Sequence, residues 1–191
     1  MYTYPLKFVI GEIDFSTAIK VTGPKKLPVM YSRGAGGSLP KGVAPYSIVV
    51  GPKQSDPVCD VKVEQFGDKP RFLLSAPGGA RMGAVVKEAK GQWSVSDAGG
   101  EAVAHIRERN SWRMSGWYTT LTNTTDLLNQ LLILTFPVRY DVELRGRRVL
   151  RLRETDELVG DAGYVLKKTG ELTDVEEQLL LPSLMVVFWL R

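Results

Sequence analysis

Cysteine and histidine each occur once in the 191 residues. A single cysteine, Cys59, cannot close an internal disulfide, which fits a reducing compartment. One cysteine and one histidine cannot build a zinc site of the usual kind. There is no G-x-S-x-G elbow and no Walker A loop. No apolar run reaches the roughly 18 to 20 residues of a membrane helix. The first residues, Met1 to Phe8, lack a charged segment followed by an apolar one, so no signal peptide is expected and the Asn123-Thr-Thr125 sequon should stay unused. Charge is also modest: a net +4 favours anionic partners without naming one. Long helical patterns between strands are missing too, which argues against parallel α/β units.

What is present is short-period alternation. Leu6, Phe8 and Ile10 share one face, and a loop rich in Gly, Pro and Lys follows, with Gly23 to Lys26 inside it. Val29 to Ser32 reads as a short strand, and residues 34–45 as Gly- and Pro-rich loop. Tyr46, Ile48 and Val50 come next, then Cys59, Val61 and Val63 opposite Asp60, Lys62 and Glu64, then Phe72 and Leu74. Met82, Ala84 and Val86 alternate with Arg81, Gly83, Val85 and Lys87. Trp93 and Val95 alternate with Gln92, Ser94 and Ser96, and residues 101–108 make another strand after a turn at Asp97 to Gly100. Strand and turn at roughly ten-residue spacing predict an all-β, antiparallel sandwich or barrel. Residues 123–132 read equally as a short helix or as loop plus strand. With no repeat and no linker, residues 1–191 are read as a single domain.

The end of the chain breaks the rhythm. Thr173 followed by Glu176 is a capping box, so a helix is expected over 174–190. From Leu184 onward it carries no polar stripe, and a helix that is apolar all round must be enclosed on every side or sit in lipid. It is too short to span, so the strands are expected to wall it in, with Leu180, Leu184, Val187 and Phe188 in the core. Pro182 removes an amide and crowds the Gln178 carbonyl, which predicts a kink and a side-chain or water partner for that carbonyl.

The hairpin over 138–153 places Val138, Tyr140, Val142 and Leu144 on one face and Leu150 and Leu152 on the facing strand. A two-residue turn at Arg145-Gly146 would send the leucines to the wrong side, so a three-residue loop, Arg145 to Arg147, is expected. Leu144 then pairs with Arg148, Asp141 with Arg151 and Arg139 with Arg153.

Catalysis has little support. His105 reads as an ordinary strand histidine and Cys59 as a small buried hydrophobe. Gly34-Ala-Gly-Gly37 lacks the third glycine of a dinucleotide fingerprint. Ser38-Leu-Pro-Lys41, Ser96-Asp97 and Lys168-Thr-Gly170 follow the order of serine β-lactamase motifs, but the first lies among loop residues where a helix is required. Trp93, Trp112, Trp117 and Trp189 are read as packing residues. Basic residues offer more. Arg139 and Arg153 should lie side by side, with Arg145 and Arg147 at the hairpin tip and Lys167 and Lys168 nearby. Like charges directly opposite are mildly destabilising, and an anion would relieve them. No aromatics interleave with these arginines, so nucleic acid is not expected.

Several stretches together resemble the LURP-one-related proteins, which share a structural superfamily with the tubby C-terminal domain and the phospholipid scramblases. They are Tyr4-Pro-Leu-Lys-Phe8, Glu108-Arg-Asn-Ser-Trp112, Tyr140-Asp-Val142, Arg147-Arg-Val-Leu-Arg-Leu152 and Glu176 to Val187. The stretches at 34–42 and 123–125 depart from the pattern. The resemblance implies a closed antiparallel β-barrel of about twelve strands around a hydrophobic C-terminal α-helix. With little support for catalysis, the leading expectation is a non-catalytic, tubby-like module. Tubby domains bind phosphoinositides through basic surface residues, though their positions do not carry over by motif. The basic residues Arg139, Arg145, Arg147, Arg153, Lys167 and Lys168 read either as a solvated strand face or as a site for an anionic phospholipid, with no cofactor or metal expected. A protein partner is the alternative, and an enzyme with a cleft at the barrel end the second. The expected location is cytoplasmic, peripheral at the inner membrane surface.

If the helix is the barrel's core, deleting Leu179 to Arg191 should unfold the protein. Circular dichroism of the truncated chain checks this; a folded, soluble product would contradict the central-helix reading.

Overall fold

Alternation turns every second side chain of a strand to the same side. Here the buried apolar sets of the described strands turn toward the axis of one ring. The computed structural model describes residues 2–13, 16–26, 28–33, 46–50, 56–65, 69–110, 137–155 and 163–189. Among them are β1 (Leu6–Ile13), β2 (Ser16–Thr22), β3 (Pro28–Arg33), β4 (Tyr46–Val50), β5 (Asp56–Gln65) and β6 (Arg71–Ser75). There follow β7 (Arg81–Ala89), β8 (Gln92–Asp97), β9 (Ala102–Arg109), β10 (Arg139–Leu144), β11 (Arg147–Thr155), β12 (Gly163–Lys168) and the helix α1 (Asp174–Trp189). Each strand pairs antiparallel with the next in sequence, and β12 pairs with β1, Leu6 against Leu166, so the barrel is closed.

The helix α1 runs inside this ring. Every residue from Leu179 to Phe188 is buried. The Phe188 ring lies 5.7 Å from Phe8 on β1, 5.3 Å from Tyr140 on β10 and 4.6 Å from Tyr164 on β12. The helix also packs on β6, β7 and β8, across the ring. Contact with opposite walls and burial on all faces mean that α1 is threaded through the barrel. Leu180, Leu184, Val187 and Phe188 are 0%, 0%, 1% and 3% exposed, as expected for core positions. Each such side chain contributes about 1.5 to 3 kcal/mol when fully buried.

The capping box forms as read. The Glu176 amide donates to Thr173 Oγ1 at 3.3 Å, and the Thr173 amide donates to Glu176 Oε2 at 2.9 Å. These bonds, with Arg145 nearby, hold the Glu176 carboxyl below its ordinary range. A lowered value means the cap stabilises at pH above the ordinary glutamate range. That contribution is lost as pH falls through the lowered value. The helix α1 continues through Pro182. The side-chain donor appears one residue beyond the expected carbonyl: Ser183 Oγ donates to Leu179 O at 2.7 Å. That bond also satisfies the polar atom of a fully buried serine.

Three strand readings change. β2 was expected to be loop, yet Ile19 and Val21 are core residues, 0% and 1% exposed. The alternation in Ser16–Thr22 is real but sits beside a Gly-Pro-Lys-Lys turn, whose composition dominates the window. In β7 both alternating sets are largely apolar, and the set facing α1 contains Gly83 and Val85. The 138–153 hairpin has a two-residue loop: Leu144 pairs with Arg147, and Arg145 and Gly146 both have positive φ, 47° and 78°. The parity is corrected by a bulge between Val142 and Glu143, which pair with Leu150 and Arg148. The bulged Val149 offers its carbonyl to the amides of Thr169 and Gly170. The bulge thus anchors the chain leading into α1, and Asp141 still faces Arg151 and Arg139 still faces Arg153. Residues 34–45 and 123–132, with Trp112 and Trp117, lie outside the described residues, as does the side chain of Trp189. Trp93 packs in the core, 6.2 Å from Tyr140.

Gly83 marks the closest approach of wall and helix. A Cβ there would lie 2.2 Å from the Ser96 backbone oxygen and 2.7 Å from Leu179 Cδ1. Gly83→Ala should therefore destabilise the fold by about 1 to 3 kcal/mol, measured by urea denaturation.

Candidate anion-binding face

Outward residues on β9 to β12 line up in rows across neighbouring strands. Arg109, Arg139 and Arg153 form one row. Arg107, Asp141, Arg151 and Lys167 form the next. His105, Glu143 and Arg148 form a third. Strands lie about 4.8 Å apart, so the three arginines of the first row are spread over about 10 Å. Arg139 and Arg153 are exposed, and neither has an ion pair among the described residues.

Asp141 is the acid at the centre of this face, and it is only 6% exposed. Its carboxylate accepts from Arg151 Nε at 3.0 Å and from Arg109 Nε at 3.4 Å, with Arg148 Nη1 at 3.8 Å. One carboxylate thus serves three guanidinium groups, each of which keeps further donors directed elsewhere.

The six expected site residues separate into three places. Arg139, Arg153 and Lys167 belong to the outer face. Arg145 and Arg147 sit at the hairpin tip, where Arg145 is six residues along the chain from Arg139, or about 20 Å at strand rise. There they line a groove of about 980 Å³ beside the start of α1, floored by Leu144, Val149 and Leu172. Arg145 Nη1 is already paired with Glu176 Oε1 at 3.0 Å. Lys168 turns inward. Its Nζ lies 2.8 Å from Glu177 Oε1 and 5.7 Å from the centre of the Tyr4 ring. No single small anion can therefore touch all six.

Glu177, at 1% exposure, is covered from outside by the N-terminal segment, whose Tyr2 amide donates to its Oε2 at 3.2 Å. Burial first, then the Glu177 charge, raises the Tyr4 phenol above its ordinary value. Burial pushes the Cys59 thiol up to about 12, so it stays protonated and inert at neutral pH. His105 is exposed on the outer side of β9 beside Glu143.

Arg107 and Arg109 were not foreseen as part of the face. Both alternate visibly in Ile106-Arg-Glu-Arg109. Their adjacency to β10, however, depends on strands separated by residues 110–138, which no local pattern predicts. No helix among the described residues is long and apolar enough to cross a membrane.

No family model matches the sequence, and no curated protein matches it. An X-ray structure of a protein from Arabidopsis thaliana is similar, with a TM-score of 0.53 over 97% of this chain and 90% of that chain. The two are 12% identical, so the likeness is one of fold.

Lys168→Met strands the Glu177 charge in the barrel mouth and should cost about 3 to 5 kcal/mol. The double change Lys168→Met, Glu177→Met should recover most of that loss in chemical denaturation.

Proposed function

We propose that this chain is a LURP-one-related, tubby-like module that binds anionic phospholipid headgroups at a membrane surface without catalysing a reaction. The observation that carries the reading is the row Arg109, Arg139 and Arg153 on three adjacent strands. Like charges directly opposite repel, and a bound anion removes that cost. The fold likeness supports the structural half of the proposal. The face supplies the ligand chemistry: exposed guanidinium groups in a patch poor in carboxylates, suited to forked bonds with phosphate oxygens. The corresponding location is the cytoplasm, with reversible attachment to the inner membrane surface.

Each basic residue near an anionic leaflet contributes about 1 kcal/mol, so three give about 3 kcal/mol, an attachment that weakens as salt rises. A protein partner is the second reading. It is favoured by the groove at the hairpin tip, which Leu144, Val149 and Leu172 line together with Arg145 and Arg147.

Sedimentation with liposomes distinguishes the two. Binding should increase with phosphoinositide content, decrease with salt, and fall at least about tenfold when Arg139 and Arg153 are both changed to Glu. Binding indifferent to anionic lipid, or surviving the double change, rejects the membrane reading. A stoichiometric protein recovered by pull-down would then favour the second.

A further inference from the structure

We infer that Asp141 is a positioning residue of the anion-binding face, although it is the acid at that face's centre. The inference rests on the lipid reading above. Charge counting alone makes Asp141 a competitor of any anionic ligand, since it already occupies part of the positive charge. The geometry points the other way. Asp141 is 6% exposed and lies below its arginines, so it does not occupy the surface a ligand would meet. It takes Nε of Arg151 and Nε of Arg109. A guanidinium held by Nε keeps its terminal nitrogens as a free fork, now fixed in direction. The Arg109 side chain is still 53% exposed in this arrangement, and the Arg148 side chain 47%. Held in this way, Arg109 and Arg151 flank Asp141, next to the row in which Arg109, Arg139 and Arg153 pair across three strands. Ordering long side chains before the ligand arrives removes an entropy cost that binding would otherwise carry.

The ligand that gains most is a phosphomonoester on a membrane lipid. It carries between one and two negative charges and three acceptor oxygens, enough to bridge two neighbouring forks. A phosphodiester or carboxylate headgroup has less charge on its acceptors and depends less on the order of the arginines. The face should therefore prefer phosphomonoester lipid over an equal charge density of phosphatidylserine, and Asp141 should set that preference.

The test is Asp141→Asn, which keeps the shape and removes the negative charge. Binding is measured to phosphatidylcholine vesicles doped with phosphatidylinositol bisphosphate, and to vesicles brought to the same charge with phosphatidylserine. The positioning role predicts about tenfold weaker binding to the first, with binding to the second unchanged or stronger. Unchanged or tighter binding to both vesicles overturns the inference while leaving the lipid reading intact, because it is the result of simple charge removal. A wild-type chain that binds neither vesicle overturns both. Binding of soluble inositol trisphosphate as tight as binding to the first vesicle rejects a membrane source for the phosphate. Should Asp141→Asn fail to fold, Arg109→Lys serves instead. It keeps the charge and loses the fork, and the same selective loss is expected; equal binding to both vesicles counts against the inference.

Discussion

An apolar helix has to be taken out of water on all sides, and most of this structure answers that requirement. Twelve strands among the described residues form the wall, and α1 forms the filling. The aromatic cluster of Phe8, Tyr140, Tyr164 and Phe188 joins the two at one end. At the other end the capping box, the Arg145–Glu176 pair and the Lys168–Glu177 pair fix where the helix enters. The polar groups at that end hold the core in place. Arg145 and Lys168 are therefore already engaged by Glu176 and Glu177, which explains why basic residues close in sequence have different roles in space.

The barrel interior also determines what the exterior can present. Alternation forces Arg139, Asp141, Arg151 and Arg153 outward once Tyr140, Val142, Leu150 and Leu152 face in. Pairing of β9 with β10 and of β12 with β11 then adds Arg107, Arg109 and Lys167. The face is thus a by-product of strand register, and its charge pattern depends on the bulge that restores parity after a two-residue turn.

Much of this was legible from residues alone. The helix, its cap and its burial followed from an apolar stretch without a polar stripe. The Arg139–Arg153 and Asp141–Arg151 pairs followed from the need to keep two leucines inside. Other features were not. Parity requires an odd residue somewhere in the hairpin, but a bulge and a longer loop satisfy it equally. The choice between them depends on the backbone at Thr169 and Gly170. Lys168 reads as one more cation beside Lys167, and only its pairing with Leu150 shows that it points inward. The row through Arg109 requires a long-range neighbour, and local periodicity carries no information about which strands meet.

The helix follows its container in the chain. A ribosome makes the twelve described strands before the segment that fills them, and the pairing of Leu6 with Leu166 joins one end of the ring to the other. Until α1 emerges, the inward faces of the described strands lack the helix that packs against them. Such topologies are slow, because distant contacts must form before they are rewarded. The unfinished sheet also presents apolar surface and open edges, the features that promote aggregation. Completion of this barrel therefore waits on α1, and its inward apolar faces stay open to wrong partners until the helix is in place.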